Sequence, residues 1–448
     1  MSSPRGQFSS KTGFIMAAAG SAVGLGNIWG FPTQTASNGG AAFVLVYLVL
    51  AFCLAYPALM AELVLGRHAR SNTVDALGNI SDKPGLRIAG RFVGWYGIVI
   101  ASLILSFYTV IAGWMIAYML EPLANVAGLS SVQEWLSNGS LCRDLIFGGI
   151  FAALTMTIVA SGVESGIEKW SSRLMPMLII LLILLIAYVL TQDGASEGLE
   201  LYLLPDLSSI TPKLIISAMG QAFFSLSLGV GTMMVYGSYL SKDDSLPRLG
   251  AIVTTVDVGI AFTAGLLIIP AMFVAQKHGA VIYAGDKLLD GPDIIFQVLP
   301  FVFKSMGGAG PWVALAFFVL MSVASLTSSI SMLEVPVALA AEKSKLGRKK
   351  ATLLIGGCIF LISAMIIFNF GALFNFVVAF TTNYSQPLLG IALCLFVGWV
   401  MHRNKLLQEL KQGDENIEAS LFWKIWPVYV RVFCPLLILL AFINGITQ

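Results

Sequence analysis

Residues 20–32 read GSAVGLGNIWGFP, which places Gly20, Gly24, Gly26 and Gly30, an asparagine and a proline inside an apolar segment, 12–37, long enough to cross a membrane. Each interior glycine costs about 1 kcal/mol of helix propensity relative to alanine, so four within three turns bias the segment against a continuous helix. Unwound backbone in a bilayer frees carbonyls and amides, and it persists only where it lines a cavity or is buried in protein. The stretch therefore predicts a broken helix, and the break predicts a site.

Composition sets the surroundings of that break. The 448 residues are 57% hydrophobic and 11% charged, with mean hydropathy +0.85, which is too apolar for a water-soluble chain. Apolar runs of about 20 residues match a hydrocarbon core about 30 Å thick. Eleven such runs are read at 12–36, 41–66, 92–121, 145–161, 174–191, 213–240, 249–275, 309–340, 351–369, 372–400 and 426–446. With the N-terminus inside, 20 of the 26 Lys and Arg fall on cytoplasmic segments, so the positive-inside rule places the N-terminus in the cytoplasm and the C-terminus outside. No cleavable signal peptide precedes the first span, which is expected to stay in the cell (inner) membrane.

Other classes find little support. Cys53, Cys142, Cys358, Cys394 and Cys434 are scattered and suggest neither a disulfide framework nor a metal motif. The three histidines, His68, His278 and His402, lie outside the spans or at their edges, and neither HExxH nor GxSxG occurs, so no catalytic constellation is visible and an enzyme is not expected. The net charge of +2 carries no nucleic-acid signal.

A second interruption, QAFFSLSLGVG at 221–231, punctuates the sixth span with Ser225, Ser227, Gly229 and Gly231. The first and sixth spans are equivalent in a five-plus-five arrangement, and paired interruptions in two halves point to a transporter site at the bilayer midplane. The competing explanation, small residues for close helix packing, accounts for one such segment better than for both. The expected architecture is an all-α polytopic membrane protein with a 5+5 inverted-repeat transporter fold, broken helices 1 and 6, and an appended helix 11. The first repeat spans 1–191 and the second 192–400, with an outer re-entrant loop at about 277–308. A cytoplasmic loop and helix 11 occupy 401–448.

GSAVGLGNIWGFP, together with NGGAAF (38–43), ELVLGR (62–67), QAFFSLSLGVG (221–231) and SLTSSISMLEV (325–335), resembles the neurotransmitter:sodium symporter family, and most closely its bacterial eleven-helix amino-acid transporters. Sodium wants several oxygen ligands, which unwound carbonyls and hydroxyls supply. The resemblance implies one sodium held by the carbonyls of Gly20, Val23 and Ala324 and the hydroxyls of Thr327 and Ser328. It implies a second held by Ala22, Asn27, Ser225, Asp257 and the substrate carboxylate. Asp257, in TTVDVGIAF, is an ionisable residue in an apolar span and on that ground alone a functional candidate. Of the chloride-binding pattern of some relatives, Tyr47, Gln221 and Ser225 match, but the helix-seven serine position is Ala261. A fixed carboxylate at Asp257 can neutralise sodium without an anion, so chloride independence is expected.

The resemblance assigns the substrate carboxylate to amides around Leu25 and Gly26, the hydroxyl of Tyr108 and the sodium at Asn27. The amino group falls to carbonyls of Ala22, Phe224, Ser225 and Ser227. The side-chain pocket is lined by Ile104, Phe224, Val230, Ser328 and Met332, with Ser21 close by. None of these is charged, and a charged substrate side chain buried there lacks a counter-ion, which favours neutral, mainly hydrophobic amino acids.

At the gates the chain departs from the family pattern. The outer ion pair is missing, with Gly30 and Val378 at its positions. Phe224 over Tyr108 is the expected apolar lid, with Trp29 and Gln34 as vestibule contacts. On the cytoplasmic side Arg5 and Glu342 match an inner ion-pair gate, with Phe8 beside it and Tyr239 near Glu334; Glu62 and Glu334, at cytoplasmic ends of helices two and eight, read either as members of this network or as snorkelling end-of-span acids. Gly166 and Pro176 bracket a stretch able to unwind towards the cytoplasm. The segment 404–420 reads as a solvated loop. The reading is a sodium-coupled amino-acid symporter in the lipid bilayer, a monomer or weak homodimer without organic cofactor. A transport-incompetent amino-acid sensor on the same fold is the alternative.

Overall fold

The computed structural model describes residues 6–284, 287–288 and 294–447. Among these, nine helical segments have the length and hydropathy to cross a bilayer: Ala41–Ala69, Pro84–Val126, Leu141–Ala160, Val163–Val189, Leu246–Lys277, Gly307–Lys343, Gly347–Phe368, Phe370–Val400 and Leu421–Gly445. Two interrupted segments accompany them, the first of which makes a tenth span when its two bent halves are taken as one. The first runs Lys11–Ala22 and resumes at Gly26–Ser37, bent by 56°. The sixth runs Pro212–Ser225 and resumes at Thr232–Gly237.

Local chemistry sets the ends. Ser10 caps the first span by accepting from the Gly13 amide, and Thr211 caps the sixth by accepting from Leu214. The sixth-span break is built on left-handed backbone: Gly229 has φ +77°, and a Cβ there would meet the Gln386 carbonyl oxygen at 2.3 Å. Ser227, at φ +51°, holds the same region without glycine's freedom, a cost characteristic of functional backbone.

Burial orders the spans around these breaks. The apolar windows of the third, seventh and eighth spans are each 72% buried, whereas that of the eleventh is 22% buried, as befits an appended helix. The third span is 43 residues long, about 65 Å at 1.5 Å per residue, so it extends well past the bilayer. The segment after the seventh span carries a two-residue antiparallel pairing, Tyr283–Ala284 with Lys287–Leu288, and a short helix, Leu299–Ser305.

The 166–176 stretch, read as able to unwind, is wound in this conformation: Val163–Glu168 forms a wide turn and Lys169–Val189 runs through Pro176 as helix. Gly166 is explained by packing, since a Cβ would meet the Ile158 carbonyl oxygen at 2.1 Å. The 404–420 segment is no free loop, because Arg403–Lys411 is a helix whose Leu406 and Leu410 are buried.

Candidate functional site

The two breaks face one another across a cavity of about 550 Å³, open on the side opposite the Lys- and Arg-rich loops. Its floor includes Ala22, Leu25, Gly26, Ile104, Tyr108, Phe224, Ser225, Ser227, Val230, Ser328 and Met332, and its upper wall includes Trp29, Gly30, Gln34, Val378 and Asn383. Every residue assigned to the substrate by resemblance lines it except Ser21. The Ser21 hydroxyl instead donates to Ser331 Oγ at 2.7 Å behind the wall, while its carbonyl accepts from Ser227 Oγ at 3.3 Å. Among the described residues, no acidic or basic side chain lines the cavity.

One hydrogen bond and one glycine fix the floor. The Leu25 amide donates to Tyr108 Oη at 3.0 Å, bringing the broken backbone to the third span. Gly24 makes this approach possible: a Cβ there would lie 2.6 Å from Ser328 Oγ and 2.7 Å from Tyr108 Oη. Phe224 is 38% exposed and has no ring contact with Tyr108 among the described residues, so the expected lid stands open.

Beneath the first break, three oxygens of the first and eighth spans meet, and Thr327 Oγ1 back-bonds within the eighth. Ser328 Oγ donates to the carbonyls of Gly20 and Val23, both at 3.3 Å, and Thr327 Oγ1 donates to the Ala324 carbonyl at 3.0 Å. Oxygen separations near 3.3 Å are the edges of a polyhedron with metal–oxygen distances of about 2.4 Å, the range of a hard cation of this size. Met175 of the fifth span packs beside Gly20, its Cγ 3.4 Å from where a Gly20 Cβ would lie.

A second polar cluster lies between the first, sixth and seventh spans. Asn27 Nδ2 donates to Asp257 Oδ1 at 2.7 Å and to Ser225 Oγ at 3.0 Å; Ser225 Oγ donates to Asp257 Oδ2 at 2.8 Å, and Tyr47 donates to Ser225 Oγ at 3.1 Å. Asp257 is fully buried, and no basic side chain bonds to it among the described residues. A buried carboxylate without a cationic partner is costly unless a cation visits.

On the basic face the cavity is sealed. The Phe8 amide donates to the Tyr239 carbonyl at 3.2 Å, and its ring meets Phe14, Tyr236 and Tyr239 edge-on, with centroids 5.5, 5.6 and 6.2 Å away. Tyr239 donates to Glu334, as expected, but Glu334 also accepts both ends of the Arg348 guanidinium. Glu342 accepts from the amide and side chain of Asn72 at 3.1 and 2.7 Å. Arg5, its expected partner, lies outside the described residues.

Sequence reasoning missed several of these roles. Glu62, read as a gate-network member or an end-of-span acid, accepts from the Gly229 amide at 2.7 Å and clamps the sixth-span break. Its position inside an apolar run was the available signal. Glu168 accepts from the Ser9 amide, Ser9 Oγ and Ser10 Oγ at 2.7, 2.7 and 3.0 Å, fastening the start of the first span to the fifth. Nothing local to 168 announces that contact.

Two interrupted helices facing each other around a polar-floored cavity, with buried polar clusters at the breaks, define an ion-coupled membrane transporter of the broken-helix kind. The profile of the sodium:neurotransmitter symporter family matches residues 5–144 and 133–448. YhdH, an uncharacterized sodium-dependent transporter of Bacillus subtilis, is 36% identical over 98% of this chain and 97% of its own length. The sodium-dependent dopamine transporter of Bos taurus is 26% identical over 94% of this chain and 66% of its own. The crystal structure of MhsT in complex with L-phenylalanine superposes with a TM-score of 0.83 at 36% identity, covering 99% of this chain and 100% of that one. The chain belongs to the sodium:neurotransmitter symporter family. It is a multi-pass, sodium-dependent symporter.

Proposed function

We propose that this symporter imports neutral, mainly hydrophobic amino acids by alternating access, with two sodium ions and without chloride. The observation that carries the substrate class is the cavity wall, which contains no Asp, Glu, Lys, Arg or His among the described residues. A zwitterion's charges must then be met by backbone and sodium, and a third charge on the side chain goes unmet. The Leu25 amide and Tyr108 hydroxyl suit a carboxylate, and the carbonyls of Ala22, Phe224, Ser225 and Ser227 suit an ammonium. Ile104, Val230 and Met332 leave an apolar space, and methionine adapts its shape to different side chains. L-Phenylalanine in the related MhsT is consistent with this assignment.

Sodium is cargo. Gly20, Val23, Ala324, Thr327 and Ser328 supply one oxygen set, and Ala22, Asn27, Ser225 and Asp257 supply the other, completed by the substrate carboxylate. That shared ligand makes sodium and substrate raise each other's affinity by the same factor. The buried Asp257 carboxylate stands where a mobile anion is otherwise needed, which supports chloride independence. Trp29 and Phe224 serve as the outer lid, and Phe8, Tyr239, Glu334 and Glu342 with Arg5 as the inner seal. The loop charges support a cytoplasmic N-terminus and an outer C-terminus in the cell membrane, so the conformation described faces outward.

The test is uptake of labelled neutral amino acids into proteoliposomes with and without an inward sodium gradient, repeated with gluconate replacing chloride. Sodium-driven accumulation that survives gluconate is expected. Collapse in gluconate overturns chloride independence, and saturable binding without accumulation transfers the assignment to an amino-acid sensor.

A further inference from the structure

Arg67 ends the second span in a buried position that neither sodium nor substrate explains. Its side chain is 0% exposed, and Nε donates to Glu409 Oε1 at 2.6 Å. Nη1 donates to the Asp244 carbonyl in the turn between the sixth and seventh spans, and Nη2 donates to the carbonyl of Glu409 and, at 3.4 Å, to that of Gln412. His68 Nδ1 lies 3.4 Å from the other Glu409 oxygen, and Lys11 Nζ lies 3.3 Å from Asp244 Oδ1. One guanidinium therefore joins the second span and the 6–7 turn to the helix Arg403–Lys411, which stands between the tenth and eleventh spans. An independent contact repeats the junction. Gly413, at φ +82°, lies so close to the 6–7 turn that a Cβ would come within 2.4 Å of the Asp244 carbonyl carbon.

The loop helix has little freedom to give. The tenth span ends at Val400 and the helix begins at Arg403, so two residues separate them. The eleventh span is tied in as well: Trp426 Nε1 donates to the Pro57 carbonyl of the second span at 3.0 Å, and Arg431 stacks 3.8 Å over Trp399 of the tenth. When the second, sixth and seventh spans rock, either Arg67 loses its partners or the tenth and eleventh spans follow. A guanidinium stays charged, and leaving it buried without its carboxylate is strongly unfavourable, so following is the favoured course.

We propose that the Arg67–Glu409 clamp makes the tenth span travel with the second, sixth and seventh, and that Glu409 is a positioning residue for alternating access. This inference rests on the transport reading above. The far end of the tenth span carries Val378, Thr382 and Asn383 on the vestibule wall. Movement at the cytoplasmic face thus reaches the outer mouth through a covalent rod, and the wide turns Ala379–Ser385 and Phe396–Val400 are its compliant points.

The experiment uses the full chain in nanodiscs, with Cys53, Cys142 and Cys358, the exposed cysteines, replaced by serine. Spin labels at Val126→Cys and Phe376→Cys, both exposed positions, report the third-to-tenth-span distance with and without sodium plus L-phenylalanine. The clamp predicts a ligand-dependent shift that drops to about half or less in Glu409→Gln and in Gly413→Ala, and that Glu409→Asp largely restores. Uptake turnover falls roughly fivefold or more in the two disrupted variants, while substrate affinity in sodium stays within about threefold. A wild-type shift and turnover in folded Glu409→Gln and Gly413→Ala overturn the clamp. Failure of the intact protein to accumulate amino acid overturns the transport reading instead, and the distance measurement still decides whether the clamp couples the spans.

Discussion

Gly24 is the residue on which the substrate floor turns, because the space for one methyl group is already taken by two hydroxyls. A Cβ 2.6 Å from Ser328 Oγ and 2.7 Å from Tyr108 Oη forces one of them aside, and both are already engaged, Ser328 at the Gly20 carbonyl and Tyr108 at the Leu25 amide. Gly24→Ala is expected to leave a folded protein whose amino-acid affinity falls about tenfold to a hundredfold, the loss of one or two hydrogen bonds at roughly 1–1.5 kcal/mol each. Binding of labelled substrate at saturating sodium checks this, and wild-type affinity would remove Gly24 from the site. At this scale the sequence told most where residues depart from their surroundings. Asp257 in an apolar span and glycines in a helix are anomalies visible locally. Ser21 and Glu62 were placed imperfectly for the converse reason, since their partners, Ser331 and Gly229, lie 310 and 167 residues away.

Elements were legible wherever length and hydropathy alone define them. The tenth span, read at 372–400, is Phe370–Val400, and the break in the first falls among its glycines. What escaped is the fastening between elements. The helix Arg403–Lys411 reads as polar loop because its anchor, Arg67, is 342 residues distant. Glu409 shows how that anchor depends on pH. Burial alone would raise its carboxyl, but the His68 hydrogen bond and the Arg67 charge override burial and hold it below the ordinary 4.5. A depressed carboxyl contributes stability that is complete above its unfolded value and is lost as pH falls through the folded one. The stability difference between wild type and Glu409→Gln is therefore expected to be flat from neutrality down to about pH 5 and to shrink below 4.5 in thermal melts in detergent. A difference that grows on acidification contradicts the assignment. A similar fastening predicts that Glu168→Gln, which weakens acceptance from Ser9 and Ser10, speeds amide exchange at the start of the first span while leaving the third span protected. Unchanged exchange there would mean that Glu168 does not hold the seal.

Across the whole molecule, the seals are unequal: rings and buried carboxylates close the face of the Lys- and Arg-rich loops, while at the opposite mouth Gly30 and Val378 stand where the family pattern expects an ion pair. Gly30 and Val378 both line the open cavity, and a Cβ on Gly30 finds its nearest neighbour, Gln221 Oε1, at 3.7 Å, so a longer side chain has room. Losing both charges together avoids a lone charge being desolvated each time the mouth closes, which is why single replacements should be worse than the double one. Gly30→Arg alone and Val378→Asp alone are each expected to slow sodium-driven uptake about tenfold, because closure must dehydrate an unpartnered charge. The double variant should recover much of that loss, with a favourable coupling of about 1 kcal/mol or more in a double-mutant cycle. The recovered rate should also weaken as ionic strength rises, since part of the pair is solvent-screened while the mouth is open. If the two losses simply multiply, positions 30 and 378 do not meet on closure. The mouth would then shut through Trp29, Phe224 and the amides of Gln34 and Asn383, without these two walls coming together.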